Sequence, residues 1–216
     1  MIPFNLAISD GTGTLPGTTM SPARFEDYDT TDGEGNMLEI KFSGRGGQGV
    51  VVASQILGLA FFKAGKYPQC YSVFGGEQRG APLVSFLRVD EEKILLKCEI
   101  RKPQELICLD DELVDPKEVK ALLVPGGRIL INTRRPLEFF EALKEFKLGF
   151  IDALEISEGA GLGRIFNTAM VGAYARFAGH PELDYVMDAV AELVPAKKEA
   201  NLEASRRAYE VVKIYN

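Results

Sequence analysis

Two stretches hold residue types whose spacing could do chemistry. The first is Gly44-Arg45-Gly46-Gly47-Gln48-Gly49, where Gly44, Gly46 and Gly49 match G-x-G-x-x-G and Gly47 adds a fourth glycine. Without Cβ atoms the backbone can approach an anion closely. The unpaired N–H groups and dipole of a following helix would add partial positive charge. The bland alternative is a tight turn that lets that helix pack on a sheet. A dinucleotide site makes a further demand, an acidic residue at the end of the second strand, about 20 residues on. Here that strand ends at Phe74-Gly75-Gly76 and the first acid, Glu77, lies in another loop. The ordinary dinucleotide reading loses ground. Another phosphate-bearing ligand, or none, remains. The second stretch, Gly75-Gly76-Glu77-Gln78-Arg79-Gly80-Ala81-Pro82, offers one carboxylate and one guanidinium on a flexible backbone. Leaving the carboxyl end of a strand, it should sit near the first loop. Arg79 could form a bidentate contact with a phosphate or carboxylate, pair internally with Glu77, or meet a partner chain.

Other chemistry-bearing residues read more plainly. His180, the only histidine, lies between Gly179 and Pro181 and reads as a loop residue, not a general base. Asp110 and Asp111 end a strand with no base or ligand partner nearby, and read as a helix start or surface feature. Asn167 reads as a helix cap. Cys70, Cys98 and Cys108 form no CxxC pair and no cluster motif, and are expected to be reduced, mostly buried thiols in a cytoplasmic protein. A net charge of -6 with no basic run argues against nucleic acid. The most apolar stretch, Val50 to Phe62, is too short to span a bilayer.

The elements that must position these residues read as an α/β fold: a mostly parallel sheet with helices on both faces, Rossmann-like, with some antiparallel strands. Leu38–Ser43 is expected as a strand, and Val50–Ala64 as a helix closed by Gly65. Tyr67–Phe74 reads as a second strand. Leu83–Val89 and Lys93–Cys98 look like a hairpin around Asp90-Glu91-Glu92. Further strands are expected at Leu106–Leu109, Arg128–Asn132 and Gly149–Ala153. Helices are expected at Leu137–Lys147, Asn167–Phe177, 182–193 and 196–213. Residues 1–37, rich in Gly, Thr, Asp and Pro, read as an extended N-terminal arm. It is either a disordered tail or an arm lying on a partner subunit through Phe4, Leu6, Ile8, Phe25 and Tyr28.

The glycine loop and the apolar helix after it resemble the opening of the gamma subunit, or gamma domain, of pyruvate and related 2-oxoacid:ferredoxin oxidoreductases. Phe74 to Pro82 resembles that family's second motif, in the Arg-Gly-Ala-Pro form that tilts towards pyruvate-like acids. Indolepyruvate, 2-oxoglutarate and aryl-glyoxylate enzymes stay open. Asn167-Thr168-Ala169-Met170-Val171-Gly172-Ala173 is similar to the third block, and Asn201 with the helix after it to the fourth. All four occur in order across 38–216, the span expected to form the gamma-type catalytic domain.

The resemblance implies oxidative decarboxylation of a 2-oxoacid to an acyl-CoA and CO2, with electrons passing to ferredoxin. Thiamine diphosphate, Mg and [4Fe-4S] clusters are expected on alpha, beta and delta-type partner subunits, because this chain carries no motif for them. Its own role would be support of the active site and capture of coenzyme A. Gly44, Arg45, Gly46, Gly47, Gln48, Gly49, Glu77 and Arg79 are the expected CoA contacts, with no catalytic or metal-binding residue. The alternatives are a stand-alone Rossmann-type nucleotide-binding protein and a purely structural subunit of the same complex.

Overall fold

Leu38, Ile40 and Phe42 alternate with polar partners, and this period of two makes Leu38–Arg45 a strand (β1) with one face fully buried. The computed structural model describes residues 37–74 and 80–215. Nearly all of the N-terminal arm, together with residues 75–79 and hence Glu77 and Arg79, lies outside the described residues.

β1 turns at Gly49 (φ 81°) into α1 (Val50–Lys63), which ends two residues before Gly65 at φ 83°. β2 (Tyr67–Phe74) and β3 (Pro82–Asp90) follow. The antiparallel β3 inserts between β2 and β1. β4 (Glu105–Cys108), β5 (Arg128–Asn132) and β6 (Lys147–Ile151) then add side by side, all parallel to β1. β7 (Lys213–Tyr215) closes the far edge antiparallel to β6, giving the order β2-β3-β1-β4-β5-β6-β7. Five of the seven strands therefore run one way, and their carboxyl ends share one rim.

The remaining helices are α2 (Pro116–Leu122), α3 (Ala153–Gly159), α4 (Asn167–Ala178), α5 (Leu183–Leu193) and α6 (Lys198–Val211). One face of the sheet, with Ile40, Phe42, Leu87, Ile107 and Leu130, packs under α1, α4, α5 and α6. The opposite face, with Leu106, Ile129, Ile131 and Phe150, packs under α2 and a 3-10 segment at Leu137–Leu143. The mixed sheet with helices on both faces agrees with the fold read from sequence. α4 is buried almost all round because its small residues let neighbours approach from every side.

Two expectations are corrected. Lys93–Cys98 is not a strand. Both edges of β3 are already occupied, by β1 and β2, so no edge is left for a hairpin partner. Instead 91–104 crosses the outer face of β2 and β3 as a strap. Leu137–Lys147 is not an α-helix either: Leu137–Leu143 is 3-10, kinked at Phe140, and Lys147 already belongs to β6. Two short helices, α2 and α3, were not anticipated.

Candidate functional site

The rim where β1 and β4 end carries the glycine loop. Gly44 and Arg45 still belong to β1, and Gly46 to Gly49 make the turn. Gln48 closes it from within: its Oε1 accepts from Arg45 N at 2.7 Å, and Gln48 N donates to Arg45 O at 3.1 Å. The turn is then fastened to the end of β4. The carboxylate of Asp110 accepts from Arg45 Nε at 2.8 Å and from Gln48 Nε2 at 3.0 Å, while its other oxygen accepts from Glu112 N. Arg45 also reaches Glu112 at 3.2 Å. Asp110 does start a helix, as expected, capping the 3-10 turn Asp111–Leu113. Its grip on the loop was not foreseen.

The second loop joins the first through its described end. Gly46 N donates to Ala81 O at 2.9 Å and Gly80 N to Gly46 O at 3.2 Å. The expected proximity of the two loops therefore holds at Gly80 and Ala81. The third block meets the same turn. A Cβ on Gly49 would come within 2.7 Å of Asn167 Nδ2, so the loop needs glycine there both for φ and for space. Asn167 is not the cap that the sequence suggested. Phe166 occupies the cap position; Asn167, one residue on, accepts from Thr168 N at 3.0 Å through Oδ1, and its side chain wedges against Gly49. The fourth block bonds to the third: Thr168 Oγ1 donates to Asn201 Oδ1, and Asn201 Nδ2 donates to the carbonyls of Ala196 and Lys197. Four segments far apart in sequence thus form one connected cluster.

The cleft beside the loop is about 660 Å³, with Arg45, Gly47, Gln48, Asp110, Asn132 and Arg164 among its lining. Asn132 ties three elements at its floor, donating to Leu109 O and accepting from Ala153 N. Charge in the cleft is mixed. Arg45 is paired with Asp110 and Glu112, and Arg135 with Asp111 at 3.1 Å, whereas Arg164 is exposed. Asn132 and Arg164 escaped the sequence reading as site residues, and Asp110 was read there only as a helix start or surface feature. Only Asp110 had a signal, its place at a strand end beside Asp111.

Beneath the loop, Cys108 is buried and accepts from Ser43 Oγ at 3.2 Å. Burial pushes its thiol up to about 11, so it stays protonated and is a poor nucleophile. The Cys70 sulfur is likewise buried, packed against Gly58 and donating to Ser54 O at 3.4 Å, and burial pushes its thiol up to about 12. The expectation of mostly buried thiols holds for these two and fails at Cys98, an exposed residue. Among the described residues no group of His, Cys, Asp or Glu is arranged to hold a metal, and no helix is long and apolar enough to cross a membrane. His180 lies at the opposite end of the sheet, by the start of β4. It packs between the rings of Phe61 and Tyr174, 3.8 Å from the buried Glu105.

Comparison with known proteins agrees with this arrangement. Residues 39–211 match the family model described as pyruvate ferredoxin/flavodoxin oxidoreductase. The chain is 41% identical to the pyruvate/ketoisovalerate oxidoreductases common subunit gamma of Thermococcus kodakarensis, over 83% of this chain and 99% of that one. It is 40% identical to the pyruvate synthase subunit PorC of Methanothermobacter marburgensis, over 82% and 98%. The crystal structure of pyruvate oxidoreductase subunit PORC from Thermotoga maritima superposes with a TM-score of 0.72 at 32% identity, covering 83% of this chain and 99% of that one. The family match begins after the N-terminal arm. The chain therefore belongs to the pyruvate ferredoxin/flavodoxin oxidoreductase family, as a gamma-type subunit of a 2-oxoacid:ferredoxin oxidoreductase.

Proposed function

We propose that this subunit receives coenzyme A at the glycine-loop cleft and presents it to an active site carried by alpha, beta and delta-type partner subunits. The observation that supports this is the lacing of Gly46 to Gly80 and Ala81, which brings the beginning of α1 and the end of the second loop to one cleft. Unpaired amides at the start of α1 would face the CoA diphosphate. Arg45 is held by two carboxylates, so its part is to hold the loop. The countercharge then falls on the helix start and on Arg79. Thiamine diphosphate with Mg and the [4Fe-4S] clusters would belong to the partners. In this chain the three sulfurs sit on separate elements, each beside a different neighbour: Cys70 by Ser54, Cys98 by Arg88 and Cys108 by Ser43. Electrons would leave the complex to ferredoxin, in the cytoplasm, and the names of the relatives favour pyruvate or a branched-chain 2-oxoacid.

The test is steady-state kinetics of the complex with Arg79→Ala. Losing a charge-assisted contact of about 1.5–3 kcal/mol should raise the CoA KM by roughly tenfold or more and leave the 2-oxoacid KM near its original value. An unchanged CoA KM would sink the proposal. It would favour the structural reading, in which the acidic side of the cleft (Asp110, Asp111, Glu112) meets a partner chain.

A further inference from the structure

The strap 91–104 is anchored on its inner side, and among the described residues nothing packs on its outer side. Ile100 is buried, and its N–H donates to Tyr71 Oη at 2.8 Å. Gln69 Nε2 donates to Leu96 O at 2.9 Å. The buried Arg88, paired with Glu39 at 2.8 Å, lies beneath against Cys98. Outward, the strap shows Leu95, 79% exposed, and Leu96, with Tyr67 of β2 exposed on the same side as Gln69. The segment 93–102 also carries Lys93, Lys97, Arg101 and Lys102 against the single acid Glu99, and all four cations are exposed. Lys102 Nζ is bonded to Ala121 O. The acids before it, Glu91 and Glu92, are accounted for in part by the Lys66–Glu91 pair. An exposed apolar and basic surface of this kind calls for an apolar and acidic occupant.

The chain contains such a segment. The first 37 residues hold six acids against one arginine, five of the six net negative charges of the whole protein. Phe25-Glu26-Asp27-Tyr28-Asp29 combines two aromatic rings with three of those acids. The arm also leaves the domain at the right place: Gln104, at the end of the strap, bonds to Met37 O and to both the N–H and C=O of Glu39. Seven residues lie between Asp29 and Met37, a reach of roughly 25 Å when extended, and the eight steps from 29 to 37 equal those from Lys93 to Arg101. A tether this short gives an effective concentration on the order of millimolar, so modest contacts suffice in cis.

We propose that residues 25–29 of the N-terminal arm dock on the strap of the same chain, aromatic rings on Leu95, Leu96 and Tyr67 and carboxylates on Lys93, Lys97 and Arg101. Docking gives this subunit a built-in cover over the outer face of β2 and β3, on the side of the sheet away from α1.

Hydrogen–deuterium exchange on the full chain at low ionic strength tests the idea. Amides of 93–101 should exchange at least about threefold more slowly in the native chain than in a Glu26→Lys, Asp27→Lys, Asp29→Lys variant. The protection should fade with added salt. It should return when that variant also carries Lys93→Glu, Lys97→Glu and Arg101→Glu, and it should not depend on protein concentration. Equal exchange in native and variant chains, or no recovery in the combined variant, overturns the proposal. So does protection that grows with concentration, which assigns the surface to a second copy. Protection that appears only on adding the other subunits assigns it to a partner chain and equally overturns it.

Discussion

Asp110 is the residue through which the glycine loop is held, because one carboxylate accepts from Arg45, Gln48 and Glu112 N. Asp110→Asn keeps an acceptor for the cap and loses the charge facing Arg45, whereas Asp110→Ala loses both. Arg45 is a third exposed, which limits the electrostatic part. Chemical denaturation should then show about 1–2 kcal/mol lost for the alanine variant and no more than about half of that for asparagine. At the other end of the sheet, burial holds the His180 imidazole below the usual histidine range. Burial lowers its pKa from 6.5, and Arg128 and Lys66 act in the same direction, while Glu105 opposes them. A base whose folded pKa lies below its unfolded value binds fewer protons when folded, so stability is fully present above 6.5 and falls as pH drops through that value towards the folded pKa. Urea unfolding between neutral and mildly acid pH should show this slope, and His180→Gln should flatten it. An identical slope in the variant would mean that other groups cause it.

At the scale of elements, α4 and α6 approach so closely that a Cβ on Gly172 would stand 2.1 Å from Ser205 O. The contact is backbone, and the helices would have to separate. Gly172→Ala should cost about 1–3 kcal/mol or more in denaturant midpoint, as overpacked cores do. Gly159→Ala, whose added Cβ meets nothing within 4 Å, should be neutral or slightly stabilising. The contrast separates a packing requirement from a general effect of glycine. The same helix pair explains why the third and fourth blocks travel together. Ser205 Oγ donates to Thr168 O and Thr168 Oγ1 to Asn201, so the start of α4, which wedges Gly49, is braced by α6. Some elements were plain in the residues. Arg128–Asn132 and Tyr67–Phe74 fall where the apolar runs between turn residues put them, and Gly179 at φ 80° stops α4. α2 was missed although Asp115 caps it and Pro116 opens it, because its seven residues bury only Val119 and show no helical stripe. The segment Leu137–Leu143 does show an apolar stripe. It buries Phe140 and Leu143 from a kinked 3-10 turn instead, since β6 must begin four residues later.

At the scale of the molecule, the proposed division of labour leaves the thiamine and cluster chemistry to partner subunits, and it can be tested directly. An affinity-tagged chain expressed with the neighbouring subunits should bring down thiamine diphosphate, iron and acid-labile sulfide in proportion to the oxidoreductase activity recovered. Activity from the chain alone would refute the division of labour. The residues by themselves determined the βα unit around the glycine loop, the family through four blocks in order, and the want of a dinucleotide acid. Those are local or order-dependent properties: periodicity, turn chemistry and spacing act within a few residues. Only the tertiary structure decided that β3 lies between β2 and β1, that 91–104 is a strap and not a strand, and that Asn167, besides accepting from Thr168 N, wedges against Gly49. A strand's residues state which face is buried but not which edge finds a partner, and a polar side chain at a helix start finds its neighbour only after the sheet has brought distant loops together. For Gly44–Gly49 the consequence is specific. The glycines supplied the turn, and the fold supplied Asp110, Ala81 and Asn167, which hold it open as a cleft.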